Sequence, residues 1–330
     1  MNCDCPVLLR PIVIAALIAP LLAVAPTAAL AQADYPSRAI KFVVPVPPGN
    51  MLDTIPRLVG EKLTAKWGHP VVVENRPGAA SNIGAEAVFK SPPDGYTLMV
   101  TPPGPLAISQ HVYSKLNFDP TQFTPVTLLV RFPFMLIANT SVPDKSLQDL
   151  IARAKANPGK VTFATPGVSS TPHLTMEKFV RAAGIRLVHV PYAGMAPAFN
   201  DLLGGHIETM FDTPGNVSGH VRDGKVKLLA VTSAKRFPAF PDVPTLAELF
   251  PGVDHEDWFA VVAPPKTPPE IAAKLSQAIV ETLKLPDVAK RITDVHLTIV
   301  GATPAETGAL MKSESEKFRE VIAAAGIKVE

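Results

Sequence analysis

The sequence predicts an α/β protein of two parallel-sheet units, the second inserted into the first. Three observations carry this expectation. Short apolar strands alternate with helical stretches through both halves of the chain, joined by short loops. Two apolar segments, 126–138 and 258–263, read as strands that pass from one unit to the other and back. The 36 prolines, about twice the usual share, cluster between periodic segments and so punctuate a folded chain.

The stretch 41–53, KFVVPVPPGNMLD, sets the pattern. Lys41–Val44 is β-branched and aromatic and suits a strand buried on both faces. Pro45, Pro47, Pro48 and Gly49 stop it, because proline lacks the backbone N–H and glycine tolerates positive φ. From Asp53 the apolar residues Ile55, Leu58, Val59, Leu63 and Trp67 recur on one helical face. A strand thus enters a stiff loop, and the loop enters a helix N-terminus, where free N–H groups and the macrodipole favour an anion. An ordinary βα turn with no ligand reads the same way. Neither a P-loop nor a G-x-G-x-x-G fingerprint is present.

Residues 1–31 read as a signal peptide: Arg10, an apolar run from Pro11 to Ala31, and an Ala29-Leu30-Ala31 cleavage site. Cleavage near Ala31 would remove Cys3 and Cys5, leaving a chain that must stabilise itself through its core alone. Net charge is +2 and 6% of residues are aromatic, so neither a basic footprint nor stacking platforms point to nucleic acid.

Further along, Pro70–Glu74 and Tyr96–Thr101 are strands, and Ser81 is placed to cap a short helix. The loops after the first three strands converge at one sheet edge, where ligands gather in α/β folds. The second half repeats this logic. Strand Val161–Thr165 feeds a hydroxyl-rich loop, Pro166–Pro172, with Thr171 as N-cap and Pro172 at the first helical position. Strands follow at Arg186–Val190, Ile207–Phe211 and Lys225–Val231. Thr267-Pro-Pro-Glu270 and Thr303-Pro-Ala-Glu306 both read as capping boxes.

The strings YPSRAIKFVVPVPPGN, VVVENRPGAASNIGAEAV, DGYTLMV, NFDPTQFTPVTLL, HVPYAGMAPAFNDLLGGHIETMFD, KLLAVTSAKRFPAFPDVPTLAE and WFAVVAPPKTPPEI resemble the Bug-type family across nearly the whole mature chain. These are the periplasmic solute receptors of tripartite tricarboxylate transporters. The resemblance implies a two-lobed periplasmic binding protein fold, type II-like, joined by two crossing strands with the ligand in the interlobe cleft. It divides the chain into lobe 1, 34–130 plus 257–330, and lobe 2, 131–256. It implies a small carboxylate ligand, a two-component membrane permease as partner, a monomer, a periplasmic location and no cofactor.

Carried onto this sequence, the family's carboxylate grip falls on Val46, Pro48, Gly49, Asn50 and Met51, with Ser81, Asn82 and Thr101 from the neighbouring loops. In lobe 2 it falls on Thr165, Gly167, Ser169, Ser170 and Thr171, with Tyr192 and Asp212 toward the ligand's other end. Backbone N–H groups and hydroxyls at helix N-termini can solvate a carboxylate without an arginine. Asn50 stands where the family has a second glycine, Met51 where it has a small polar residue, and Thr101-Pro102-Pro103-Gly104 where the third loop is hydroxylated. These departures favour an aromatic or aliphatic mono- or dicarboxylate over citrate. Asp212, if it faced the ligand, would favour an ammonium group.

An enzyme is not expected. No G-x-S-x-G elbow or H-E-x-x-H occurs, and the eight histidines lack metal-ligand spacing. A secreted serine hydrolase using Ser170 and His173 would need proton-transfer geometry that a pair three residues apart at a helix start seldom has. A receptor that signals to a sensor kinase and feeds no transporter is the remaining alternative.

Overall fold

The computed structural model describes residues 1–3 and 35–329, so the expected signal peptide lies outside the described residues beyond Cys3. From Pro36 onward the chain forms one compact unit containing two sheets. Its elements run β1 (Ile40–Val44), α1 (Met51–Trp67), β2 (Val71–Asn75), α2 (Asn82–Phe89), β3 (Thr97–Thr101), α3 (Ser109–Val112) and β4 (Thr124–Pro133). The second sheet follows with β5 (Met135–Asn139), α4 (Leu147–Ala156), β6 (Thr162–Thr165), α5 (Thr171–Ala183), β7 (Val188–Pro191), α6 (Met195–Leu203), β8 (Thr209–Asp212), α7 (Pro214–Arg222), β9 (Val226–Val231) and α8 (Leu246–Leu249). The chain then returns through β10 (Glu256–Ala263), α9 (Pro269–Leu283), α10 (Pro286–Asp294), β11 (Thr298–Ile299) and α11 (Pro304–Ala325).

The first sheet has the order β11-β4-β10-β3-β1-β2, and the second β7-β6-β8-β5-β9. The expected parallel pairing holds for β1 with β2 and β3, and for β6 with β7 and β8. The crossing strands make both sheets mixed: β10 runs antiparallel to β3 and β4, and β5 antiparallel to β8 and β9. The first sheet's core joins Val43, Met99, Leu128, Trp258 and Val262 to Ala85, Val88 and Met311 from the helices above. The second packs Met135, Ile137, Ala164 and Met210 against Ala198, Phe199, Leu202 and Val217. A third cluster sets Leu174 of α5 against Ile108, Val112, Phe318 and Ile322.

The long apolar run 126–138 is two strands, not one. Its ladder breaks at Phe134, whose N–H donates to Thr232 Oγ1 (2.8 Å) and whose carbonyl accepts from Thr232 N–H (2.9 Å). Thr232 Oγ1 also donates to the His255 carbonyl (2.6 Å), and His255 N–H donates to the Thr232 carbonyl (2.7 Å). One fully buried threonine therefore ties both crossings together.

Three local expectations change. The N-cap of α5 is Ser170, and Thr171 is the first helical residue, because Ser170 keeps the extended backbone (φ −67°, ψ 155°). Ser81 precedes α2 but makes no side-chain cap; at φ 77° its hydroxyl donates instead to the Pro45 carbonyl (3.2 Å). The box at Thr303–Glu306 forms, whereas Thr267 Oγ1 donates to the Pro264 carbonyl (2.8 Å) and leaves Pro268 to precede α9. Among the described residues no helix is long and apolar enough to cross a membrane.

Candidate functional site

Six loops leave the carboxyl ends of parallel strands, three from each sheet. Two of them run straight into the longer helices α1 and α5, whose first-turn N–H groups have no partner within the helix. The loops of the two sheets touch. A Cβ on Gly194 would lie 3.8 Å from Pro47 Cγ, and one on Gly215 would lie 3.1 Å from Met51 Sδ. Met51 therefore spans the seam to the start of α7, where only a glycine leaves it room.

The first loop is braced from beneath. Asn50 caps α1, its side chain accepting from Asp53 N–H (3.1 Å) while its own amide donates to the Pro47 carbonyl (3.2 Å). Gly49, at φ 97°, donates its N–H to Asp53 Oδ2 (3.0 Å). Asp53 is buried and also accepts from Arg57 Nη2 (2.8 Å) and Asn75 Nδ2 (2.8 Å). Asn75 Nδ2 reaches the Val46 carbonyl as well (3.0 Å), and its Oδ1 accepts from Arg57 (2.7 Å). Burial alone would raise the Asp53 carboxyl, but the bonds from Arg57, Gly49 and Asn75 hold it below its ordinary 3.8. Asp53 thus shapes the loop and has its lone pairs committed.

Because that carboxyl is depressed in the fold, its stabilising contribution is present above the unfolded-state pKa and lost as pH falls through the folded-state value. Asp53→Asn is expected to melt below the wild type at pH 7, with the gap narrowing as pH falls below the ordinary carboxylate value of 3.8. A gap that stays constant through that fall would remove the ionised carboxylate from the brace.

The second and third loops lie close together. Ala79, Ala80 and Ser81 are successively left-handed (φ 46°, 50° and 77°), a conformation that costs non-glycine residues of order 1 kcal/mol or more each. Asn82 is buried and accepts from Ser109 Oγ (2.7 Å). Thr101 is fully buried beneath the third loop, its hydroxyl donating to the Pro102 carbonyl (3.1 Å). A Cβ on Gly104 would sit 3.6 Å from the Ala80 carbonyl oxygen.

On the second sheet, Gly167 (φ 136°) and Ser169 (φ 65°) fold the loop before α5 back on itself. Ser170 Oγ donates to the Gly167 carbonyl (2.8 Å), Ser169 Oγ to the Val168 carbonyl, and Thr165 Oγ1 lies 2.6 Å from His189 Nε2. Thr171 Oγ1 has no hydrogen-bond partner among the described residues. Behind the loop, His173 stacks on His189 at 4.0 Å between ring centres. Burial, with the neighbouring imidazole, pushes His173 down to about 3, and burial pushes His189 down to about 4, so both are neutral packing elements near pH 7. His173 Nδ1 faces Ser169 N–H (3.2 Å), so that nitrogen accepts from a backbone amide and is not turned to a serine hydroxyl.

Tyr192 and Asp212 are engaged within the second sheet's unit. Tyr192 packs on its core and donates its hydroxyl to Asp201 Oδ2 (2.6 Å); burial and that bond push the phenol up to about 12. Asp212 ends β8 fully buried and accepts from Thr213 N–H (2.6 Å) and Asn216 Nδ2. Burial pushes its carboxyl up to about 7 against those bonds. The residues that sequence reading passed over are Asn75 and Arg57, which hold the first loop, and His189, which backs the second. Asn75 carries no local sign of this role, since its partners lie 18 to 29 residues away. Among the described residues no group of three His, Cys, Asp or Glu could hold a metal ion.

Two sheets joined by two crossings, with loops from their strand ends touching at Pro47 against Gly194 and at Met51 against Gly215, define a two-lobed periplasmic binding protein. The model of the tripartite tricarboxylate transporter family receptor matches residues 55–327, and the chain belongs to that family, which consists of periplasmic solute-binding receptors and not enzymes. Protein BugT of Bordetella pertussis is 36% identical over 312 residues, covering 93% of this chain and 96% of that one. The structure of R. palustris Rpa4515 with adipate superposes with a TM-score of 0.84 at 33% identity, covering 89% of this chain and 99% of that one. MatC from Rhodopseudomonas palustris with bound malate gives 0.82 at 30% identity, covering 87% and 100%.

Proposed function

We propose that this chain captures a small carboxylate between its two lobes and delivers it to a tripartite tricarboxylate-type membrane transporter. The observation that carries this reading is that α1 and α5 each start at a strand's carboxyl end, while loops of the two sheets touch at Pro47 against Gly194 and at Met51 against Gly215. Such termini offer N–H donors and a positive dipole end to a carboxylate without placing a fixed cation beside it. Lobe 1 comprises 34–130 and 257–330, lobe 2 comprises 131–256, and the receptor acts as a periplasmic monomer after cleavage near Ala31. The grip comprises Val46, Pro48, Gly49, Asn50 and Met51 with Ser81, Asn82 and Thr101 facing Thr165, Gly167, Ser169, Ser170 and Thr171.

An aromatic or aliphatic mono- or dicarboxylate suits this cleft better than citrate. Met51 brings a thioether to the seam, and Pro102-Pro103 bring bulk without donors, so extra carboxylates and a hydroxyl would lose solvation there. Adipate and malate in the related structures support the carboxylate class. Asp212 spends both oxygens on Thr213 and Asn216, which weakens the case for an ammonium-bearing ligand. The test is a thermal-shift and calorimetry panel of terephthalate, benzoate, adipate, glutamate and citrate. A ligand at 100-fold over its Kd adds about 2.7 kcal/mol of stability. Tightest binding of citrate would sink the preference, tightest binding of glutamate would return the choice to Asp212, and no shift with any carboxylate would sink the class.

A further inference from the structure

A cavity of about 620 Å³ lies beside the crossing strands and shares no residue with the loop cluster. Its floor is read from strand register. Trp258 of β10 and Thr298 of β11 each pair directly with Arg131 of β4, which sets the three side chains in one row on one face of the sheet. Its walls come from elements of both sheets: Leu174 and Lys178 of α5, Leu310, Phe318 and Val321 of α11, and the segment 233–238 after β9.

Among the described residues, the cavity-lining atoms Arg131 Nε, Trp258 Nε1 and Ser233 Oγ are buried without a hydrogen-bond partner, whereas His255 Nε2 faces the buried Asp257 Oδ1 at 3.7 Å. Trp258 is 1% exposed and Ser233 8%, so neither side chain finds ready compensation in bulk water. All three can donate. The charges of the lining sort in the same direction. Arg236 is paired with Glu248, Lys317 with Glu314 (2.8 Å), and Lys178 donates to the Asp254 carbonyl (3.2 Å). Arg131 and Lys235 have no acidic partner among the described residues. The remaining acids, Asp254 and Glu256, are exposed at the rim. Apolar surface from Leu174, Phe237, Leu310 and Phe318 completes the chamber.

We propose that this cavity is a second ligand site, taking a small organic anion with an apolar body. Its acidic head lies over the Arg131–Trp258 row and Ser233, where charge-assisted bonds satisfy buried donors. Its body packs on Leu174 and Phe318, and Lys235 supplies positive charge at the mouth.

Anilinonaphthalene sulfonate is the probe, with uncharged N-phenyl-1-naphthylamine as its neutral counterpart, each titrated by fluorescence into the purified protein. The sulfonate is expected to bind at least tenfold more tightly than the amine. Arg131→Gln and Trp258→Phe should each weaken the sulfonate about tenfold, and Lys235→Gln, an exposed change that the fold tolerates, about two- to threefold. Thr171→Val, in the loop cluster, should leave sulfonate binding unchanged. Equal binding of the neutral amine would overturn the proposal. So would sulfonate binding that withstands Arg131→Gln and Lys235→Gln, or that is lost in Thr171→Val.

Discussion

Thr171→Val is expected to lower affinity for the carboxylate ligand at least tenfold while moving the melting temperature little. Thr171 is the first residue of α5, buried, and its hydroxyl has no partner among the described residues. It is therefore free to donate to a ligand oxygen beside the helix's own N–H groups, where a hydrogen bond to a charged group is worth about 1.5–3 kcal/mol. Each 1.4 kcal/mol is a factor of ten in Kd. Valine keeps the shape, and because Ser170 occupies the cap position no helix cap is removed. Ser170→Ala should do less, since that hydroxyl already donates to the Gly167 carbonyl. Isothermal calorimetry with the tightest panel ligand decides this; equal Kd values for wild type and both variants would move the anion contact elsewhere.

Gly84→Ala is expected to damage fold and site together. A Cβ there would lie 2.7 Å from Pro45 Cβ and 3.1 Å from both Pro45 Cα and the Arg76 carbonyl. Two of these three are backbone atoms, and proline is stiff, so the neighbours cannot swing aside. Overpacking of this kind costs about 1–3 kcal/mol, and the strain falls on the start of the β1–α1 loop. The melting temperature should fall by several degrees, with carboxylate affinity falling as the loop shifts. Gly49→Ala is the contrast: nothing lies within 4 Å of its Cβ, and the only penalty is φ 97°. A Gly84→Ala protein with wild-type melting and affinity would show that α2 slides freely over the loop.

The strand-loop-helix units were legible because hydrophobic period changes where the chain turns, as at Val44 and Asn50. The capping box at Thr303 followed from residue type and spacing alone. The Ser170–Thr171 boundary did not, because two adjacent hydroxyl residues compete and backbone angle decides. The break at Phe134 depends on Thr232, 98 residues away, and no local pattern announces it. The brace under the first loop is hidden for the same reason: Asp53, Arg57 and Asn75 read as ordinary polar residues until the fold joins them. The family resemblance pointed to the loops, but residue type could not show that Tyr192 and Asp212 turn toward partners of their own.

The position of β10 has a consequence for the order in which the chain can become ordered. β10 lies between β3 and β4, two strands that precede it by more than a hundred residues. Until residues 256–263 arrive, the first sheet is split into two pieces with unpaired edges facing a gap. The second sheet has no such debt, since β5–β9 come from one unbroken stretch, 135–231. Loop closure over so long a span is slow, and exposed edges invite pairing with other chains. A chain emerging from its N-terminus thus holds an incomplete sheet while its later half is already self-sufficient, and its last quarter is the template that seals the first.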